Sequence, residues 1–241
     1  MSSYIDKKFW ENSLKKLDWY SLLQNDFNRL EELAKDEKDY DKRKLIKKDA
    51  YNSIIATIKN DSLPIAKTGD NLDIKRKPID TIVIHHTNNK PDMTLEKLNA
   101  MHLMILYGKY YANKSKKTKQ PVWSGHFYND QQVFWGYHWL IRSDGTTQQI
   151  LKDNYIGWHA GNWDINTRSI GICIDDDLND KEPSLVVIKS IAKLIKDNYP
   201  DVSLNKVIGH CDVYKKTKCP GRLFRESWRQ KLIDTIKLEV R

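Results

Sequence analysis

The stretch Asp80-Thr-Ile-Val-Ile-His-His-Thr87 decides the fold, together with a second stretch from Val207 to Pro220. Residues 81–84 are all β-branched, with a proline shortly before them and two asparagines shortly after. This pattern predicts a buried strand with His85 and His86 at its end.

The second stretch repeats this arrangement. Val207-Ile-Gly-His210 is another short apolar run that ends in histidine. Cys219 follows nine residues later, and Pro220 and Gly221 come directly after it. A Pro-Gly pair predicts a sharp turn, which fixes the direction of the cysteine thiol.

Two imidazoles and one thiolate near strand ends suit a zinc ion, because a catalytic zinc usually keeps three protein ligands and one open position. The predicted ligands are His85, His210 and Cys219, which together hold one Zn²⁺ per chain. Two alternatives stay open: the three residues are unrelated and packed, or Cys219 forms a disulfide with Cys211. Cys211 and Asp212 are the rival ligands. Adjacent residues on a strand point to opposite faces, so His210 and Cys211 are not expected to bind one ion.

Several short blocks occur in a fixed order along the chain. They are Ile82–Thr87, Gly136–Trp139, Gly157–Ala160, Ser169–Ile172, and Gly209–His210 with Cys219–Gly221. In this order they resemble the zinc-dependent N-acetylmuramoyl-L-alanine amidases. That family contains phage endolysins, bacterial autolysins and animal peptidoglycan recognition proteins. The resemblance runs from Pro78 to the C-terminus.

The resemblance implies both a fold and an activity. The implied fold is α/β, with a mixed central sheet covered by helices. The implied activity is zinc-dependent hydrolysis of the amide bond between N-acetylmuramic acid and L-alanine in peptidoglycan or its fragments. The alternative is a recognition module that binds muropeptides without cleaving them. The presence of Cys219 and Tyr137 favours the enzyme.

The resemblance also implies catalytic residues. Hydrolysis of an amide creates an oxyanion that needs a hydrogen-bond donor besides the metal. Tyr137 occupies the position of the family's active-site tyrosine. Thr217, two residues before the cysteine ligand, is the implied second donor. Lys216 or Lys218 can contribute in its place.

The remaining blocks imply contacts with substrate. His159 lies in the block that resembles the family's Gly-x-His-Ala motif and is expected to contact substrate near the metal. Trp158, Asn162 and Trp163 lie in the same loop, and tryptophan rings there offer faces for sugar or stem peptide. His86 is expected to contact substrate or to support the metal site, and a structural role is the alternative.

Composition limits the partners. The 241-residue chain carries a net charge of +9, which calls for an anionic partner such as the bacterial cell wall. Nucleic acid is not expected, because no nucleic-acid-binding module is recognisable. No apolar run reaches the length of a membrane span. The N-terminus does not resemble a secretory signal, so the expected location is the cytoplasm or, after release by a non-signal route such as lysis, the cell wall.

Residues 1–70 predict a helical N-terminal extension, and residues 71–241 predict the zinc amidase domain. Apolar residues recur at helical spacing in the extension, and neither proline nor glycine occurs before residue 64. Its role is open: it packs on the rest of the protein, or it targets a partner through Trp10, Trp19 and Tyr20.

The segment after the first strand predicts one more helix and a basic cluster. The helix runs from an N-cap at Thr94 to about Tyr107. The lysines that follow are Lys109, Lys114, Lys116, Lys117 and Lys119. This cluster predicts either a solvated loop or a patch that holds an acidic polymer.

Overall fold

The structure is a computed structural model that describes residues 3–112 and 120–238. The strands in this part are β1 (Thr81–His86), β2 (His126–Tyr128), β3 (Gln131–Val133), β4 (Trp139–Ile141), β5 (Thr147–Gln149), β6 (Ser169–Ile174) and β7 (Val207–Gly209). The α-helices are α1 (Lys7–Leu14), α2 (Trp19–Asp36), α3 (Tyr40–Lys59), α4 (Leu95–His102), α5 (Lys109–Ala112), α6 (Trp163–Arg168), α7 (Leu185–Asn198), α8 (His210–Val213) and α9 (Arg229–Leu238). Turns of π-helix follow α4 and precede α9, at Leu103–Gly108 and Phe224–Trp228.

The chain forms two compact units. Unit 1 contains Met1–Asp70 and Thr94–Phe134, and unit 2 contains Asn71–Met93 and Trp135–Arg241. The sequence division at residue 70 therefore meets a unit boundary, but residues 94–134 group with the N-terminal helices. The assignment of functions to residues 1–70 and 71–241 stays a prediction.

Unit 2 is built on a five-stranded sheet in the order β5-β4-β6-β1-β7. Strands β4, β6, β1 and β7 pair in parallel, and β5 pairs antiparallel with β4. This confirms the predicted α/β class with a mixed sheet. Gly145 turns the β4–β5 hairpin at φ +89°, a conformation that glycine adopts without strain.

The two faces of this sheet have different partners. One face is a row of isoleucines that packs against α7, α9 and the π-helical turn before α9. Its strand residues include Ile82, Ile84, Ile170, Ile172 and Ile174. Because side chains alternate along a strand, the residues between them point to the opposite face. That opposite face carries His85, Gly171 and Cys173.

Unit 1 confirms the predicted helices. Asp6 and Asp39 cap α1 and α3 by accepting backbone N–H groups, and Thr94 caps α4 in the same way. Trp10, Trp19 and Tyr20, considered above as partner-facing, are at most 5% exposed. These rings therefore serve the core of unit 1.

The structure describes the predicted basic cluster only in part. Of the basic cluster, Lys114, Lys116, Lys117 and Lys119 lie outside the described residues, whereas Lys109 forms a 3.1 Å ion pair with Glu31.

Among the helices that the structure describes, none has the length and apolar character to cross a membrane.

The core of unit 1 generates a stability prediction. Trp19 is 0% exposed, and its indole Nε1–H donates to the Pro64 carbonyl at 2.9 Å. Trp19→Ala should lower the free energy of unfolding by about 3 to 5 kcal/mol, because it removes this bond and leaves a large cavity. Urea denaturation measures the effect. Leu17→Ala is the control, since Leu17 is 71% exposed and its replacement should change stability by less than about 0.5 kcal/mol. Equal effects of the two substitutions would contradict the packing role.

Candidate metal centre and active site

Strand pairing in unit 2 brings three chemically active residues side by side. In the parallel register, His85 at the end of β1 lies opposite Cys173 of β6. Ile84 lies opposite Gly209 of β7, so the next residue, His210, follows beside His85. The ring centroids of the two histidines are 4.7 Å apart.

His85, His210 and Cys219 form a group that suits a metal ion. One donor atom from each residue lies within 4.8 Å of the other two. His85 is fully buried, and the other two residues are half-buried. The structure thus brings the three predicted ligands together, whereas the rival residues Cys211 and Asp212 do not belong to this group.

The donor atoms pass a test of fit for zinc. The Sγ of Cys219 lies 3.7 Å from Nδ1 of His85, close to the separation of about 3.5 Å that two ligands of a tetrahedral zinc require. Within the described residues, buried Nε2 of His210 has no hydrogen-bond partner. A buried nitrogen without a partner is costly unless something binds it. Two imidazole nitrogens and one sulfur are zinc's usual donors.

Burial sets the protonation of these groups in the absence of a metal. It lowers the pKa of His210, and a hydrogen bond to the Ala160 carbonyl partly opposes this shift. It raises the pKa of the Cys219 thiol to about 12, although the backbone N–H of His86 stabilises the thiolate. The imidazole is therefore ready to bind as a neutral ligand, whereas the thiol must lose its proton to a metal.

Cys211 and its neighbour His210 do not lie on the strand that the sequence predicts. The sequence placed His210 on a strand, but His210 and Cys211 are the first two residues of α8. The argument from opposite strand faces therefore does not apply here. All three cysteines are free thiols, so no disulfide joins Cys211 to Cys219. The backbone N–H of Cys211 instead donates to the carbonyl of Cys219 at 2.8 Å, which brings the two loops together.

Tyr137 lies against the metal ligands. Its ring centroid is 4.8 Å from that of His85. Burial, and then the neighbouring thiols of Cys173 and Cys219, raise the pKa of the Tyr137 hydroxyl well above its usual value. The hydroxyl therefore keeps its proton at neutral pH and can donate a hydrogen bond. It bonds to the side chain of Cys173, a fully buried residue of β6.

Thr217 lies in the loop between α8 and the cysteine. Its Oγ1 accepts the backbone N–H of Cys219 at 3.1 Å. This bond uses the oxygen's acceptor capacity and leaves the hydroxyl proton available for donation. Thr217 therefore helps to fix the cysteine backbone, and its role as a catalytic donor stays a prediction.

His159 lies in a different environment from a typical substrate contact. It is 5% exposed, and both ring nitrogens have partners inside the protein. Nδ1 lies 3.0 Å from Nε2 of His85, and Nε2 lies 3.2 Å from Oγ of Ser169. Ser169 and Asn166, which holds the loop of His159, were missed because their partners are distant in sequence or depend on the loop fold.

Two other predicted substrate contacts have structural partners. Nδ1 of His86 accepts the backbone N–H of Leu178 at 3.0 Å, and burial lowers the pKa of His86 to about 4. The side chain of Asn162 caps α6 by accepting the N–H of Ile165 at 3.1 Å. Their contacts with substrate stay predictions.

Aromatic rings line the surface beside His210. Trp158 is half-buried, Trp163 is 45% exposed, and their ring centroids are 5.5 Å apart. Tyr214, which sequence reasoning missed, is 41% exposed and stacks on the His210 ring with centroids 6.0 Å apart. A Cβ atom at Gly161 would lie 3.6 Å from the Tyr214 ring, so this ring rests on the loop that carries the tryptophans. The spacing of Tyr214 four residues after His210 was the available signal.

Comparison with known proteins places this chain in a family. The family model described as N-acetylmuramoyl-L-alanine amidase matches residues 75–222. The 1,6-anhydro-N-acetylmuramyl-L-alanine amidase AmpD of Haemophilus influenzae is 24% identical over 153 residues, which are 58% of this chain and 83% of that protein.

The solved structures that match this chain include one amidase and one endolysin. The N-acetylmuramoyl-L-alanine amidase LysC from Clostridium intestinale is 23% identical, with 66% of this chain and 87% of that chain covered and a TM-score of 0.45. The Ph2119 endolysin from a Thermus scotoductus bacteriophage is 21% identical, with 66% and 86% covered and a TM-score of 0.46. Because the family model matches more than half of the residues, this chain belongs to the N-acetylmuramoyl-L-alanine amidase family.

Proposed function

We propose that this protein is a zinc-dependent hydrolase of the amide bond between N-acetylmuramic acid and L-alanine. Its proposed substrates are peptidoglycan and the muropeptides derived from it. The observation that carries the proposal is the group of His85, His210 and Cys219, whose donor atoms lie within 4.8 Å of one another beside Tyr137. Membership of the amidase family supplies the bond to be cleaved.

The ligands and the neighbouring hydroxyls divide the work of hydrolysis. His85, His210 and Cys219 would hold a zinc ion, which would lower the pKa of water and polarise the amide carbonyl. Tyr137 holds a hydroxyl proton that can be donated to the oxyanion as negative charge develops there. Thr217 offers a second donor from the loop that fixes Cys219. Lys216 and Lys218 stay alternatives for this second role.

The aromatic surface supports substrate binding. Tyr214 stacks on His210 and lies against Gly161, and the paired rings of Trp158 and Trp163 belong to the same loop as Gly161. Flat apolar rings with polar edges suit the faces of pyranose rings or the stem peptide. The chain's net charge of +9 favours approach to an anionic cell wall. Action at the wall after release from the cytoplasm is part of this proposal.

The alternative is a recognition module that binds muropeptides without cleaving them. Such a module needs neither three metal donors nor a tyrosine hydroxyl beside them. The orphaned Nε2 of His210 and the near-tetrahedral distance between His85 and Cys219 favour the enzyme. Mass spectrometry of peptidoglycan digested with and without a chelator distinguishes the two. Stem peptides that begin at L-alanine should appear only without chelator, and wall binding without release would favour the module.

The ligand assignment makes the first functional prediction. Cys219→Ala should abolish stoichiometric zinc binding and amidase activity together, because it removes one of three donors. Zinc content measured by mass spectrometry and release of stem peptide report the two losses. Cys211→Ala is the matched control, since it removes a thiol beside His210 that lies outside the donor group. A Cys219→Ala protein that keeps one zinc per chain would refute the assignment.

The hydroxyl of Tyr137 is the basis of a second functional prediction. Tyr137→Phe should keep zinc bound but lower kcat by about ten- to a thousandfold, because one donor to the oxyanion is lost. Steady-state kinetics with a soluble muropeptide measure the change. Tyr199→Phe is the control: its hydroxyl bonds Trp139 and Asp153 instead of the site, so kcat should stay unchanged. An unchanged kcat in Tyr137→Phe would mean a packing role only.

The ring of Tyr214 is the basis of a third functional prediction. Tyr214→Ala should raise KM for a muropeptide by about tenfold with a smaller change in kcat, because an exposed stacking face is lost. Tyr214→Phe keeps the ring and should retain the wild-type KM. If both variants, or neither of them, raise KM, the ring face is not the binding element.

A further inference from the structure

We propose that His159 is a positioning residue, which holds His85 in the tautomer and orientation that metal binding requires. This role differs from the substrate contact that the sequence predicted. The inference rests on the proposed function, because it concerns the same metal site. His159 contacts the predicted ligand His85 and is not itself one of the three predicted ligands.

A continuous hydrogen-bonded row carries the inference. Nε2 of His85 lies 3.0 Å from Nδ1 of His159, and Nε2 of His159 lies 3.2 Å from Oγ of Ser169. His85 and Ser169 are 0% exposed and His159 is 5% exposed. Buried hydrogen bonds of this kind resist competition from water, so the row can fix the ring positions.

The protonation of Nδ1 of His85 determines which of the other ring nitrogens in the row carry a proton. Nδ1 of His85 faces the Cys219 thiol at 3.7 Å, so this nitrogen is the one available to a metal and must carry no proton. The proton of a neutral His85 ring then lies on Nε2 and is donated to Nδ1 of His159. A neutral His159 consequently carries its proton on Nε2 and donates it to Ser169.

The backbone around His159 is built for a ring at this place. A Cβ atom at Gly171 would lie 2.8 Å from the His159 ring, and one at Gly157 would lie 3.0 Å from it. Only glycine leaves this space for the imidazole. Oδ1 of Asn166 accepts the backbone N–H groups of His159 and Ala160 at 3.3 and 2.8 Å, which fixes the loop.

A histidine binds a metal ion more tightly when another group accepts a hydrogen bond from its second ring nitrogen. A group that accepts the second ring N–H of a ligand fixes its tautomer and raises its basicity, and its removal typically weakens metal binding by about 10- to 100-fold. In most sites that partner is a carboxylate, a carbonyl or water. Here a second histidine takes this place.

The test compares two isosteric substitutions in the full chain. His159→Asn keeps an oxygen near the position of Nδ1 and can accept the proton of His85, whereas His159→Leu has a similar shape and no acceptor. The dissociation constant for Zn²⁺, measured by competition with a chelator, should rise about 10- to 100-fold in the Leu variant and much less in the Asn variant. Urea denaturation of the metal-free proteins separates this effect from loss of stability.

A spectroscopic readout follows the proton itself. Long-range ¹⁵N–¹H correlation spectra of the metal-free protein report which nitrogen of His85 carries the proton. Wild type and His159→Asn should show it on Nε2, and His159→Leu should show a mixture. If the Leu variant does not fold, Gly171→Ala displaces the ring instead and should also weaken zinc binding.

The outcomes separate this inference from the function on which it rests. Equal zinc affinity in the Asn and Leu variants, or wild-type affinity in the Leu variant, overturns the positioning role and leaves the amidase proposal intact. A wild-type protein that binds no zinc overturns the proposed metal dependence. In that case the tautomer of His85 decides the inference alone, and a proton on Nδ1 overturns it.

Discussion

The parallel pairing of β1 between β6 and β7 is the constraint on which the site depends. It sets His85 at the carboxyl end of a central strand, with Cys173 on one side and His210 following on the other. Strand alternation then assigns the isoleucines to the helical layer and the reactive side chains to the other face. One pairing pattern thus creates both the core and the site.

The ring of His85 is the centre of the arrangement. The rings of Tyr137, His159 and His210 all have centroids within 5.0 Å of it. Burial lowers the pKa of His210 and raises the pKa of the Tyr137 hydroxyl, which favours a neutral imidazole and a protonated tyrosine at these two positions. Among the described residues of this cluster, Nε2 of His210 is buried without a hydrogen-bond partner, and the proposed zinc ion would bind there.

Unit 1 illustrates how local and distant information differ. Helical spacing predicted that the N-terminal extension is helical, and helical spacing with an N-cap at Thr94 predicted α4, since these signals lie within a few residues of each helix. That Thr94–Phe134 joins the N-terminal helices was not predictable, because the sequence gives no local sign of which apolar faces meet. Trp19 is an example: the sequence left open whether it faces a partner, and only the fold revealed its burial and its bond to Pro64.

The types and order of a few short blocks were enough to predict the family, the fold class and the group of His85, His210 and Cys219. Local periodicity also predicted the helical N-terminal extension, α4 and β1. Tertiary structure alone decided the bond from Tyr137 to Cys173, the row from His85 through His159 to Ser169, and the start of a helix at His210. The physical reason is that hydrogen bonds across the sheet join residues far apart in the chain, and a side chain's partner depends on strand register and burial.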